Sequence, residues 1–191
     1  MSMHPRSRIA ALLLVAAAGV LSITAPAVAQ SDKLEGLRAD MVADILSMES
    51  KYVSLAETMP ASSYGWRPMD GVRSVGEVYC HVAGANFGIP QFFGVEIPPD
   101  AGAIEQLCDT DDLESLKVGA VEALRASFVH ARNAIAAVPD ANLDDATKLF
   151  GQDTTKRAAM LLYVTHMHEH LGQSVAYARS NGVVPPWSAG G

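Results

Sequence analysis

Apolar residues recur at intervals of three and four along four stretches of this chain, and no stretch shows the period of two expected of a half-buried strand. The first stretch runs from about Asp32 to Met59, with Leu34, Leu37, Met41, Ile45, Met48, Tyr52, Leu55 and Met59 on one face. Pro60 and a polar turn end it. The second begins at Ser74, where Ser74-Val75-Gly76-Glu77 fits a capping box whose Ser and Glu side chains satisfy free backbone N–H groups. Val75, Val78, Val82, Ala85 and Ile89 carry its stripe, and Gly88 and Pro90 mark its end or a kink. A long connection follows, with Pro98-Pro99-Asp100 as a rigid turn. The third helix spans about Asp112 to Val138, with Asp111 and Glu114 as capping residues and Pro139 as its stop. Leu113, Leu116, Ala120, Leu124, Ala131 and Ile135 form its apolar face. The fourth spans about Thr154 to Asn181, with Asp153 as N-cap, and Gly182, Pro185 and Pro186 lie beyond its end. Four amphipathic helices with two long connections predict an all-α fold, a four-helix bundle.

The start of the chain has a different pattern. His4, Arg6 and Arg8 precede an apolar run from Ile9 to Val20, and Ala27-Val28-Ala29 fits an A-x-A cleavage site. Residues 1–29 therefore read as a secretory signal peptide, leaving 30–191 as one domain and predicting a periplasmic or extracellular location. The alternative is an uncleaved anchor, but the run is shorter than the ~20 residues a span needs, so no stable membrane insertion is expected after cleavage. The mature chain keeps 12 Lys and Arg against 21 Asp and Glu, a net charge of −9. An acidic surface without a basic stripe argues against nucleic acid as a partner. Cys80 and Cys108 either pair in an oxidising compartment or stand as two small buried hydrophobes.

Candidate chemistry concentrates in Thr165-His166-Met167-His168-Glu169-His170-Leu171-Gly172-Gln173. His166 and His170, four apart, share one face of a helix, one turn above the other. His168 lies about 200° around from His166 and cannot share an ion with them. His168-Glu169 opens an H-E-x-x-H pattern, but Gly172 stands where its second histidine belongs, so a zincin protease is not indicated. The inward stripe of the fourth helix reads Ala159, Leu162 or Tyr163, His166, His170, Gln173, Tyr177. Unpaired imidazoles on such a face cost about 1–3 kcal/mol each, so hydrogen bonds, solvent or a metal must satisfy them. His81, mid-way along the second helix, is the candidate third ligand; alone it reads more readily as a satisfied core histidine, and its value comes from combination with the pair on the fourth helix. Three imidazoles leave an open coordination position, the pattern of a catalytic rather than a structural site. His130 has no spacing partner and reads as surface.

Three pieces in order carry a family resemblance: Tyr64-Gly65-Trp66-Arg67-Pro68; Arg73-Ser74-Val75-Gly76-Glu77 leading to His81-Val82-Ala83-Gly84-Ala85-Asn86; and His166 and His170 followed by Gly172-Gln173, Tyr177-Ala178-Arg179, Gly182 and Pro185-Pro186. The chain resembles the DinB/YfiT-like superfamily of metal-binding four-helix bundles over most of residues 32–188. The resemblance implies a divalent-metal site (zinc, nickel or iron) with His81, His166 and His170 as ligands. It also implies a homodimer, and an activity on a small molecule of the kind shown by thiol-dependent transferases and isomerases.

A signal peptide departs from that picture, because the low-molecular-weight thiols such enzymes use are chiefly cytoplasmic. The expectation is therefore an exported metal-dependent transferase or hydrolase, with a non-catalytic metal-binding or stress-response protein as the alternative. Candidate residues behind the ligands are Gln173, Tyr163 and Glu77, the last also read as part of the capping box, and Tyr163 and Tyr177 also as core packing. Trp66 either lines the mouth of the site or covers the bundle end. No residue stands out as a general acid or base.

Overall fold

The computed structural model describes residues 34–189; the signal-peptide reading of residues 1–29 lies outside them. Four long helices form the frame: α1 (Gly36–Thr58), α2 (Val75–Gly88), α4 (Leu113–Ala137) and α5 (Lys156–Ser180). A short α3 (Ala101–Glu105) interrupts the long connection, and two strands, β1 (Ala146–Leu149) and β2 (Gln152–Thr155), precede α5. The helices fall where the periodicity placed them. Among the described residues, no helix is long and apolar enough to cross a membrane.

Helix α4 lies along both α1 and α2, and α5 closes the bundle against the same pair. Met41, Ile45, Met48, Tyr52 and Leu55 of α1 and Met59 at its C-cap are buried, as are Val75, Val78 and Val82 of α2 and Leu116, Ala120, Leu124, Ala131 and Ile135 of α4. Buried phenols tie the layers through backbone carbonyls: Tyr52 Oη donates to Met167 O at 2.6 Å, and Tyr163 Oη to Asn86 O at 3.0 Å. A buried hydroxyl without a partner would be costly, so these bonds fix how α5 sits against α1 and α2.

The capping box at Ser74 is present in both directions: Ser74 N–H donates to Glu77 Oε2 at 2.6 Å and Glu77 N–H to Ser74 Oγ at 3.3 Å. Other ends shift by one or two residues. Asp112 rather than Asp111 caps α4, accepting from Ser115 N–H at 2.8 Å. Thr155 rather than Asp153 caps α5, and Asp153 instead pairs with Lys148 across the hairpin. Helix α5 ends in a Schellman motif, with Gly182 at φ +73°, its N–H on Arg179 O and Val183 N–H on Ala178 O.

The β-hairpin corrects the expectation of a chain without strands. Its register pairs Ala146 with Thr155 and Leu149 with Gln152, leaving Phe150-Gly151 as a two-residue turn. Both turn residues have positive φ, 49° and 84°, as a type I′ turn requires. Four-residue strands with few apolar positions give too short a window for alternation to register.

Cys80 and Cys108 form a disulfide, which resolves the two readings of these residues in favour of pairing. Gly119 makes the approach possible: a Cβ there would stand 2.1 Å from Leu107 O, so only glycine lets the 106–108 segment lie against α4.

Candidate metal centre

Helices α2 and α5 bring His81, His166 and His170 together, with their ligand nitrogens all within 4.8 Å of one another. His81 Nε2 and His166 Nε2 are 3.2 Å apart. Two nitrogens sharing a tetrahedral zinc at Zn–N ≈ 2.0–2.1 Å would be separated by about 3.3 Å, so this pair has the spacing of co-ligands. The three rings meet edge to face, with centroids 4.5 to 5.2 Å apart. Each ring is half-buried, at the edge of the helix interface rather than within it. The deepest stripe of α5 runs through Ala159, Tyr163, Met167 and Ala178. The histidines stand one position to the side, where a ligand from solvent can reach them.

The electrostatics favour neutral imidazoles, the form that binds metal. Burial, then the charge of Arg73 and the two neighbouring histidines, pushes His81 down to about 4. Burial and His170 likewise hold His166 below the ordinary imidazole range, opposed by Glu169. His166 Nδ1 is buried without a partner among the described residues. Three imidazole nitrogen donors at this spacing fit a borderline divalent ion.

Of the residues proposed behind the ligands, Gln173 is in place. Its Oε1 lies 2.8 Å from His170 Nδ1, and its Nε2 donates to Tyr177 Oη at 2.9 Å. With the amide oxygen facing His170, Nδ1 carries the proton and Nε2 is free for an ion. Tyr177 is thus part of this relay, with Trp66 edge-on against its ring at 5.2 Å. The structure contradicts a supporting role for Tyr163, which is fully buried with its hydroxyl on Asn86 O and its ring against Phe93. Glu77 is also spent elsewhere. One oxygen closes the capping box and the other accepts from Arg67 at 3.0 Å.

His168 points away and pairs with Asp44 of α1 at 2.7 Å, as its angular position requires. His130 is not a surface residue: its ring is half-buried against Phe87, with Nε2 buried and unpartnered among the described residues.

Two recesses flank the centre. One, about 400 Å³, has His81 and His166 in its lining beside Ile89, Phe92, Phe150 and Leu162. The other, about 630 Å³, is lined by His170 and Gln173 together with Arg67, Arg73 and Glu77. The sequence pattern did not point to Arg73 as a member of the site, although it stands just outside the N-cap of the helix that carries His81.

The family model for the DinB superfamily matches residues 46–174 of the chain, a span that contains all three histidines. A crystal structure of a DinB-like protein from Bacillus subtilis superposes with a TM-score of 0.56 at 21% identity, covering 75% of this chain and 92% of that one. A DinB-like protein from Bacillus cereus gives 0.52 at 17% identity, covering 78% and 95%. At these identities the likeness concerns the fold. No protein of curated function matches the chain.

Proposed function

The chain belongs to the DinB superfamily, and we propose that it is an exported metalloprotein in which His81, His166 and His170 hold one divalent transition ion (zinc, nickel or iron) for transfer or hydrolysis on a small molecule. The carrying observation is the convergence of three half-buried imidazoles from two helices, with two of them at co-ligand distance. Gln173 Oε1 on His170 Nδ1 supports the tautomer whose Nε2 is free for the ion, and Tyr177 holds the other end of the Gln173 amide. Tyr52, bonded to Met167 O, anchors the turn of α5 between the two α5 ligands. Bound there, the ion would supply Lewis acidity to a polar group set beside it. The recess of about 400 Å³ that reaches His81 and His166 favours turnover over a closed, purely structural site.

Two observations support export. The first is the leader pattern of residues 1–29, and the second is the Cys80–Cys108 bridge, since disulfides persist mainly in oxidising compartments.

Metal analysis of the purified mature protein tests the site. Roughly one ion per chain is expected; His81→Ala, His166→Ala and His170→Ala each abolish it, and His168→Ala does not. Gln173→Leu should retain the ion with affinity weakened about 10–100-fold. Full retention in the His170 variant would sink the assignment.

A further inference from the structure

The two recesses beside the histidines differ in chemistry. The one on the His81 and His166 side has apolar walls: Ile89 and Phe92 from the segment after α2, Leu162 from α5, and Phe150 from the hairpin tip. Thr147 Oγ1 donates to Phe92 O at 2.6 Å, so the hairpin is tied to the wall it completes. Phe150 holds a left-handed φ of 49°, a conformation phenylalanine adopts at a cost, while remaining 66% exposed. Its ring meets Phe92 edge to face at 4.9 Å. Strain spent on an exposed aromatic that packs only at a pocket rim marks that rim as a contact surface for something that enters.

The recess on the His170 side is basic. Arg67 is committed, donating to Val72 O at 2.9 Å and to Glu77 at 3.0 Å, which also neutralises Glu77. Arg73 lines the same recess and makes no hydrogen bond or ion pair among the described residues, although its charge acts on Glu77 as well as on His81 and His166. A guanidinium without a hydrogen-bonded partner among the described residues stands in the same recess as His170 and offers an entering anion a charged partner.

We propose that the centre takes a small amphipathic molecule, with an anionic head such as a carboxylate at the three histidines on the Arg73 side and an apolar body in the recess walled by Ile89, Phe92, Phe150 and Leu162. The inference rests on the metal reading above and adds the substrate class. A recess of about 400 Å³ is of the size that holds a small molecule rather than a polymer segment.

Calorimetric titration of the zinc-loaded and the metal-free protein with straight-chain carboxylates from butanoate to octanoate, and with hexan-1-ol, tests it; zinc content is read on each sample. Affinity should rise about fourfold per added methylene until the recess is filled. Hexanoate should bind zinc-loaded protein at least about tenfold more tightly than hexan-1-ol, and Arg73→Gln should cut that preference to about threefold or less. Phe150→Asn should flatten the chain-length series with zinc content unchanged. A flat series on protein carrying one zinc per chain, or equal binding of hexanoate and hexan-1-ol, would overturn the inference and leave the metal site standing. A protein that takes up no zinc yet shows the chain-length rise would overturn the metal reading and support the apolar recess.

Discussion

At the residue scale, the polar groups that matter are those whose partners are already spoken for. Glu77 sits one turn before His81 and has the right chemistry to orient its ring, yet its two oxygens go to Ser74 N–H and Arg67. Gln173 shares its amide between Tyr177 Oη and His170, which leaves its oxygen on the ring nitrogen. Arg38 makes the complementary point. It occupies a core position of α1 at 1% exposure, and its guanidinium reaches both oxygens of Asp140 at 2.6 and 2.9 Å and Ala136 O at 3.1 Å. The Arg38 hydrogen bonds hold the Asp140 carboxyl below its ordinary value of 3.8. A carboxylate depressed in the folded state stabilises it fully above the unfolded pKa and loses that effect as pH falls through the lower, folded value. Denaturant unfolding should therefore show stability falling with pH below about 4, with a shallower fall in Asp140→Asn. Identical slopes in the two proteins would remove Arg38–Asp140 from the acid response.

At the element scale, the long helices follow from periodicity because each buries a stripe along its whole length. Their ends follow less closely, because adjacent residues of similar chemistry compete. Asp111 and Asp112 are both competent caps, and the position of the first α4 turn against the bundle selects Asp112. The hairpin is the element that function would explain. A type I′ turn favours Asn-Gly, and Phe150 stands in the Asn position. Phe150→Asn relieves left-handed strain worth about 1–3 kcal/mol and removes an aromatic pair worth about 0.5–1.5 kcal/mol. Equilibrium unfolding should then give a stability between about 0.5 kcal/mol below the parent and about 2.5 kcal/mol above it. A clear loss would show that the Phe92 contact, and not ligand binding, keeps the phenylalanine.

At the scale of the whole molecule, the centre depends on two helices far apart in sequence being held in one register. Tyr52 and Tyr163 anchor α5 to the other helices, and the Cys80–Cys108 bridge pins the residue next to His81 to the connection before α4. The bridge closes a loop with a sequence separation of 28, and a loop of that size stabilises by about 3.6 kcal/mol through the unfolded chain. Protein prepared by export should show no free thiol until reductant is added, and reductant should lower its melting temperature markedly; a melt insensitive to reductant would contradict the bridge as a stabilising element.

What the sequence determined is local and repetitive. Stripes of threes and fours fix four helices, Ser74 and Glu77 fix the start of α2, and a spacing of four puts His166 and His170 on one face while turning His168 toward Asp44. Each depends on residues within one or two turns of each other, where helical geometry alone sets the outcome. His81 was legible as a third ligand only in combination, through the ordered resemblance to a bundle family. The tertiary structure decided the rest: that Glu77 and Tyr163 are engaged away from the three histidines, that His130 turns inward, that two cysteines meet, and that Arg73 and the hairpin flank the histidines. Those outcomes depend on which distant groups arrive at the same place, and that is set by packing between helices rather than by spacing along one.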